Sequence, residues 1–202
     1  MLIATRSPDK LAEIRDVLGG CRVFFLSLTD IGLLRSREED FLERFESFRE
    51  NALSKATHFH QASGLATIAD DSGLCVDALR GGPGVRTRRF APESMVARWG
   101  RDEANNRYLL EKLAGVGEQD RGAHYHCSLA AVGPRGSTIV EGRVDGRIAL
   151  EPRGQEGFGY DPLFVLPSYG RTYAELGARI KRETSHRSVA LRKLIPWLEG
   201  LA

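Results

Sequence analysis

The sequence predicts an α/β protein in which helices flank a mixed central sheet. Short apolar runs alternate with helical patterns through residues 1–68, two more strand patterns flank a turn signal at residues 133–136, and helical patterns close the chain. The chain has 202 residues, of which 42% are hydrophobic and 28% charged, so it can bury a sizeable core. We therefore expect one domain over residues 1–202, built as two lobes that share a sheet.

The first third of the chain alternates strands and helices. Pro8 suits the first turn of a helix, Ser7 suits its N-cap, and Gly19-Gly20 ends it. Apolar residues from Phe41 to Phe59 recur at spacings of three and four, which predicts an amphipathic helix. The predicted elements are strands over 1–5, 22–26 and 65–68 and helices over 8–18 and 41–62.

The rest of the chain predicts a hairpin followed by helices. The Gly133-Pro134-Arg135-Gly136 turn separates two apolar strand patterns. Residues 141–162 are rich in glycine, which favours loops and bulges. The predicted elements are strands over 125–132 and 138–140 and helices over 102–114, 172–178 and 185–199.

Composition narrows the function classes. The formal net charge is +2, from 29 basic and 27 acidic residues, which argues against a nucleic acid polymer or an anionic membrane as partner. No apolar run approaches the ~18 residues of a membrane span. The three cysteines, Cys21, Cys75 and Cys127, lack a metal-ligand spacing and are typical of a reducing compartment. We therefore expect a cytoplasmic protein.

The most informative segment is Ala69 to Leu74, where two carboxylates, a hydroxyl and a glycine follow an apolar strand pattern. Strand ends carry the ligand chemistry of open α/β proteins. Successive side chains of a strand point to opposite faces, so only one of Asp70 and Asp71 faces a site. That carboxylate suits a metal or activation of a water, and the other would hold local backbone. The alternative is an Asp-Ser-Gly turn.

Three further segments carry candidate chemistry. Residues 5–10 form a strand–turn–helix entry suited to phosphate, or an ordinary N-cap. Residues 157–162 place aromatics between glycines, which suits stacking on a base, or a turn in the core. Lys181 and Ser185-His186-Arg187 offer donors for purine acceptors, or belong to the surface. On the long helix, Ser47, Asn51 and Lys55 form a polar stripe that suits either solvent or a cleft.

Each of these segments is a weak signal alone, but their occurrence together and in this order is specific. The chain resembles the inosine triphosphate pyrophosphatase family, and the resemblance extends from Ile3 to about Leu194. The matching segments are Phe48 to Ala52 with Lys55, Ala69 to Leu74, Val76 to Leu79, Pro83 to Val85, Asn105-Asn106, Gly157 to Phe164, Thr172 with Ala174 to Leu176, and Ser185 to Arg187. The resemblance implies an elongated two-lobed fold with an interlobe cleft. It also implies a homodimer and Mg²⁺-dependent hydrolysis of noncanonical purine nucleoside triphosphates (ITP, dITP, XTP) to the monophosphate and pyrophosphate, which cleanses the nucleotide pool.

The resemblance also assigns roles to residues. Asp71 falls at the general base and metal ligand, and Glu43 is the best match for a second metal carboxylate. Lys55 and Glu50 fall at catalytic positions of the cleft. The substrate-binding positions are Thr5, Arg6, Ser7, Pro8, Asp9 and Lys10 for phosphate, Asn51 and Ser72 beside the catalytic residues, and Phe158, Gly159, Tyr160, Asp161, Lys181, His186 and Arg187 for the nucleoside and base.

The phosphate loop departs from the family pattern, because Arg6 and Ser7 stand where the family usually has Gly and Asn. Arg6 adds positive charge near the phosphates or points to solvent. Two other functions stay open: a pyrophosphatase of the same fold for pyrimidine or methylated nucleotides, and a non-catalytic nucleotide-binding protein. The intact Ser185-His186-Arg187 motif disfavours the first, and the retained Asp71, Lys55 and Lys181 disfavour the second.

Overall fold

The structure is a computed structural model that describes residues 1–200, and it divides into two compact units. Unit 1 comprises residues 1–71, 127–142 and the segment from His186 onward, and unit 2 comprises residues 72–126 and 143–185. The strands are β1 (Leu2–Ile3), β2 (Leu26–Ser27), β3 (Thr67–Val76), β4 (Gly122–Gly133), β5 (Gly136–Ile148), β6 (Phe164–Leu166) and β7 (Arg171–Thr172). The helices are α1 (Pro8–Leu18), α2 (Phe48–Ser63), α3 (Glu93–Trp99), α4 (Arg101–Lys112), α5 (Tyr173–Thr184) and α6 (His186–Glu199).

The strands form one mixed sheet in the order β2-β1-β3-β4-β5-β6-β7. Strand β1 pairs in parallel with β2 and β3, whereas β6 pairs antiparallel with β5 and β7. The predicted fold class, a mixed sheet flanked by helices, is confirmed. Within residues 1–200, every helix falls short of the length and apolar character that a bilayer crossing needs.

In unit 1 an apolar layer covers each face of the sheet. Ile3 and Ile68 pack in the layer that contains side chains of α1 and α6, while Leu2 and Ala69 pack in the layer that contains side chains of α2. The alternation follows from the two-residue period of a strand. Asp70 and Asp71 continue β3 directly, so this period directs them to different faces.

The start of α6 packs tightly on β5 within unit 1. A Cβ added at Gly142 would lie 2.6 Å from the backbone nitrogen of Ala190 and would also collide with the carbonyl oxygen of His186. Backbone atoms cannot rotate away from such a contact. The absence of a side chain at Gly142 therefore lets α6 place His186 and Arg187 against the sheet.

We expect Gly142→Ala to destabilise the protein by about 1–3 kcal/mol, the cost of overpacking a buried contact. Gly20→Ala is the matched control, because a Cβ at Gly20 meets no atom within 4 Å. Urea unfolding of the two variants measures the difference in the free energy of unfolding. Equal stability of the two variants would show that α6 tolerates a side chain at Gly142.

Unit 2 has a separate core around an aromatic group. The rings of Tyr125 and Phe164 lie 4.5 Å apart, and those of Phe164 and Tyr173 stack at 5.7 Å. Leu109 of α4 and Leu113, the residue that follows α4, belong to the same buried cluster. The core holds α4 and α5 in place, and these two helices position the loop over residues 157–161, as described below.

Several predicted boundaries are wrong. Helix α2 begins at Phe48 rather than residue 41, because the Ser47 hydroxyl accepts a hydrogen bond from the Glu50 backbone and caps the helix there. Phe41, its predicted first residue, is the last residue of a 3₁₀ helix, Arg37–Phe41, and turns and bends follow it. The second strand is Leu26–Ser27, not residues 22–26.

Strands β3 and β5 are longer than predicted, and three elements were not predicted. β3 does not end before the carboxylates but runs through them to Val76, and β5 continues to Ile148 through part of the glycine-rich region. All ten residues of β3 are buried, so burial and strand pairing override the turn preference of Asp-Ser-Gly. The missed elements are α3, β6 and β7.

Candidate functional site

The two neighbouring carboxylates of β3 bind different partners, as the strand period predicts. Asp71 contacts side chains of α2, whereas Asp70 contacts side chains of α1 and α6. Both carboxylates are buried, with exposed fractions of 1% for Asp70 and 6% for Asp71. Buried carboxylates need compensation by charge or hydrogen bonds, so each has its own set of donors.

Three polar side chains, Glu43, Asn51 and Lys55, lie around the carboxylate of Asp71, and we call these four residues together the Asp71 cluster. The Asn51 amide donates to Asp71 Oδ2 at 2.9 Å, and Lys55 Nζ lies 3.8 Å from Asp71 Oδ1. Lys55 Nζ also donates to Glu43 Oε1 at 2.5 Å and to the backbone carbonyl of Asp70. Asn51 and Lys55 lie one helical turn apart on α2, so one helix face delivers both donors.

The surroundings of the cluster raise the pKa values of both Asp71 and Lys55, for different reasons. Burial raises the pKa of Asp71, although the nearby Lys55 and Lys10 ammonium groups oppose that rise. Burial opposes the charge of Lys55, but the carboxylates of Glu43, Asp71 and Asp70 outweigh it and raise the pKa of Lys55. Asp71 is thus the group in the cluster suited to accept a proton, and Lys55 stays an ammonium.

Asp70 sits between two cations. Its Oδ2 lies 3.0 Å from Lys10 Nζ and 3.3 Å from Arg187 Nε. Burial favours the neutral acid, but Lys10 and Arg187 overcome this and hold the pKa of Asp70 far below its usual range. The sequence predicts that one of the two aspartates holds local backbone. The contacts with Lys10 and Arg187 make Asp70 an ion-pair partner that fixes Lys10 beside the N-terminus of α1.

Arg187 is buried, with an exposed fraction of 2%, and its guanidinium also pairs with Glu13 of α1. Its role as a base donor stays a prediction. The contacts with Asp70 and Glu13 indicate a second role, which is to hold both carboxylates at the junction of α1 and α6. His186, the first residue of α6, is likewise buried.

The predicted phosphate loop begins α1 as expected. The Ser7 hydroxyl accepts a hydrogen bond from the Lys10 backbone, Pro8 occupies the first turn, and the Thr5 hydroxyl accepts from the Ser7 backbone at 3.2 Å. Pro8 and Asp9 are exposed. The guanidinium of Arg6 pairs with Glu39 at 2.7 Å, and its role at the phosphates stays a prediction.

Unit 2 holds a second group of predicted site residues, Phe158, Gly159, Asp161 and Lys181, which we call the Asp161 cluster. Lys181 Nζ lies 2.5 Å from Asp161 Oδ2 and 3.9 Å from the centre of the Phe158 ring. The same Asp161 oxygen accepts from the Phe158 backbone at 2.9 Å. The cluster therefore fixes Phe158 with a cation over its ring.

Helix α4 fastens the loop that carries Phe158. Asp102 accepts from the Gly159 backbone nitrogen at 2.7 Å, and the Asn106 amide donates to the Gly159 carbonyl at 2.9 Å. Gly157 has φ +81°, and a Cβ there would collide with the carboxylate of Asp161. Asp102 was not predicted as a site residue, and its position one turn before Asn106 on a helix was the available signal.

The other predicted residues of unit 2 are buried in its interior. Tyr160 belongs to the core, and its hydroxyl donates to the Thr87 carbonyl at 2.8 Å. Burial raises the pKa of Tyr160, so this phenol stays neutral. Ser72 lies buried on β3.

Glu50 is the predicted catalytic residue that the structure does not bring into the Asp71 cluster. It precedes Asn51 on α2, but its side chain is exposed. Its backbone nitrogen donates to the Ser47 hydroxyl, which is a helix-capping contact. The catalytic role of Glu50 stays a prediction.

The donor chemistry of the Asp71 cluster fits a hard cation such as Mg²⁺. Over residues 1–200, no group of three or more His, Cys, Asp and Glu side chains is arranged to hold a metal. A magnesium site in phosphate chemistry needs only one or two carboxylates, because substrate phosphates and waters supply the other oxygens. Asp71 and Glu43 provide two such carboxylates around Lys55, so the residues present fit the group.

Comparisons with known proteins show the family. The family model described as the Ham1 family matches residues 1–197. The chain belongs to the Ham1 family. This membership confirms the resemblance to inosine triphosphate pyrophosphatases that the sequence motifs carry.

Curated relatives and solved structures of the Ham1 family match along the whole chain. The dITP/XTP pyrophosphatase of Mycolicibacterium paratuberculosis is 45% identical and covers 100% of this chain and 97% of its own. That of an Exiguobacterium species is 45% identical over 99% of both chains. The structure of a HAM1 protein from Coxiella burnetii is 36% identical, with a TM-score of 0.83 over 98% of both chains.

Proposed function

We propose that this chain is a nucleoside triphosphate pyrophosphatase that hydrolyses ITP, dITP and XTP to the monophosphate and pyrophosphate. The observation that carries the proposal is the Asp71 cluster, in which a buried carboxylate with a raised pKa lies beside a fixed ammonium and an amide donor. Family membership and the dITP/XTP pyrophosphatase names of relatives at 45% identity support the same activity.

Asp71 is the proposed general base. It orients a water and accepts its proton as the water attacks the α-phosphorus, and pyrophosphate leaves. Asn51 holds Oδ2 of Asp71 at 2.9 Å, which fixes the direction in which the carboxylate points. Little covalent chemistry falls to the protein, so positioning and charge neutralisation supply most of the acceleration.

Phosphate oxygens would meet Lys10 and the first turn of α1. The free backbone N–H groups of a helix N-terminus favour anions, and Lys10 adds a full charge that Asp70 holds in place at 3.0 Å. Lys55 offsets charge beside Asp71. When Mg²⁺ is bound, Asp71 and Glu43 would hold it, and it would neutralise charge on the phosphate oxygens.

The Asp161 cluster is the proposed nucleoside-recognition element of unit 2. Lys181 lies over the Phe158 ring and pairs with Asp161, which makes Phe158 a rigid aromatic surface suited to a base. His186 and Arg187 stay predicted donors to the purine O6 atom. A donor that faces the amino group of adenine costs about 1–3 kcal/mol, so we expect hydrolysis of ATP to be about 5- to 150-fold slower than that of ITP.

Pyrophosphate release from ITP, dITP, XTP, GTP and ATP, each with Mg²⁺ and with a chelator, tests the proposal. We expect Mg²⁺-dependent release of pyrophosphate from the first three. Equal rates on ATP and ITP would refute the substrate class, and release of orthophosphate would refute the reaction. If the protein hydrolysed only pyrimidine or methylated nucleotides, it would be the related pyrophosphatase of the same fold. If it bound nucleotides without hydrolysing them, it would be the non-catalytic nucleotide-binding protein. The homodimer and the cytoplasmic location stay predictions.

A further inference from the structure

The segment between β2 and α2 has little regular structure of its own. We call residues 33–45 the strap, whose one helical turn is the 3₁₀ helix Arg37–Phe41. Three side chains from outside the strap bind it at successive points. Arg6 binds Leu33 and Glu39, and Lys55 binds Glu43. Asn51 makes two hydrogen bonds with the backbone of Phe45, at 2.9 and 3.1 Å.

Lys55 and Asn51 each contact the strap and Asp71 at the same time. Lys55 Nζ lies 2.5 Å from Glu43 Oε1 and 3.8 Å from Asp71 Oδ1. Asn51 Nδ2 donates both to the Phe45 carbonyl and, at 2.9 Å, to Asp71 Oδ2. The position of the strap therefore determines where Glu43 stands relative to Asp71. Leu42 of the strap packs in the apolar layer that contains side chains of α2. Arg6 is the polar anchor of the strap that lies outside the Asp71 cluster, as far as residues 1–200 show.

All three nitrogens of the Arg6 guanidinium are engaged by the strap. Nε and Nη2 donate to the two carboxylate oxygens of Glu39, at 3.0 and 2.7 Å, and Nη1 donates to the Leu33 carbonyl at 2.8 Å. Glu39 in turn accepts from the Ser36 backbone at 3.1 Å. A bidentate arginine–carboxylate pair is the strongest geometry available to a salt bridge, so this anchor is stronger than a single contact.

We propose that Arg6 is a positioning residue that holds the strap so that Glu43 stays beside Lys55 and Asp71, and that it does not bind the phosphates. The proposal rests on the proposed function for the role of Glu43 at Mg²⁺. Arg6 stands in the predicted phosphate loop, where a free guanidinium would contact an anion. Here Glu39 neutralises the charge of Arg6, and Glu39 and the Leu33 carbonyl accept hydrogen bonds from its three guanidinium nitrogens.

Hydrogen exchange without metal or substrate tests the anchor independently of turnover. Arg6→Gln and Glu39→Gln are each expected to speed amide exchange in residues 33–45 by about 5- to 10-fold, because loss of the bidentate pair favours local opening. Arg35→Gln is the matched control, since Arg35 pairs only within the strap, with Asp40 at 2.8 Å. Exchange in Arg6→Gln that matches the control would overturn the proposal, even if the enzyme proves inactive on purine nucleotides.

Kinetics separate positioning from phosphate binding. Arg6→Gln and Glu39→Gln are each expected to raise the Mg²⁺ concentration for half-maximal activity on XTP by about 5-fold or more, with KM for XTP nearly unchanged, and the double variant should add nothing. Arg6→Lys should behave like Arg6→Gln, because lysine lacks the fork. The proposal would be overturned if Arg6→Gln raised KM for XTP while Arg6→Lys and Glu39→Gln left it unchanged. That result would make Arg6 a phosphate ligand.

Discussion

Asp71→Asn is expected to lower the turnover of XTP by at least ~100-fold, the scale of a lost general base. The asparagine side chain has the same shape and can still accept a hydrogen bond from Asn51, which lies 2.9 Å from Asp71 Oδ2. It cannot accept a proton from water, and it removes one charge beside Lys55. Steady-state pyrophosphate release measures the loss, and a thermal melt close to that of the wild type shows that the fold persists.

Asp145→Asn is the matched control for that variant. The chemical change is the same, but Asp145 pairs with Arg143 on the surface and its side chain is 70% exposed. Its turnover should equal that of the wild type. If Asp71→Asn retained turnover within a few-fold of this control, Asp71 would not be the base.

Arg187→Met is expected to lower the free energy of unfolding by about 3 kcal/mol or more, because removal of one partner from a buried ion pair leaves an uncompensated charge. Arg187 is 2% exposed and pairs with Asp70 at 3.3 Å and with Glu13. Methionine fills much of the volume, so the loss reports mainly on the charges. Urea unfolding at neutral pH measures it.

Arg179→Met controls for the loss of an arginine as such. Arg179 pairs with Glu183 on the surface of α5 at 3.1 Å, and its side chain is 70% exposed. An exposed pair of this kind contributes up to about 1 kcal/mol. If Arg187→Met were no less stable than Arg179→Met and changed only the ratio of rates on ITP and ATP, base recognition would be the role of Arg187 and the structural role would be wrong.

Elements with strong local signals could be predicted from the sequence. Helix α1 begins at Pro8 behind the Ser7 cap, as the local residues indicate, and the turn between β4 and β5 falls at the predicted position. Helix α2 was predicted too early because Phe41 and Phe45 continue its apolar spacing. Phe41 is in fact 64% exposed, and the Ser47 cap with Glu50 three residues later was the stronger signal.

The partners of the carboxylates could not be predicted from spacing. Strand alternation correctly separates Asp70 from Asp71, but nothing local indicates that Asp70 binds Arg187, which lies 117 positions away. The same limit applies to Arg6, whose partner Glu39 lies in a segment without a periodic pattern. Long-range ion pairs depend on how elements pack, and a strand or helix pattern describes only neighbours along the chain.

Hydrolysis of XTP in water enriched in oxygen-18 tests most directly whether water attacks the α-phosphorus. Mass spectrometry of the products locates the new oxygen. Label in the xanthosine monophosphate, with unlabelled pyrophosphate, is the predicted result. Label in the pyrophosphate, or in released orthophosphate, would show attack at another phosphorus and would contradict the mechanism.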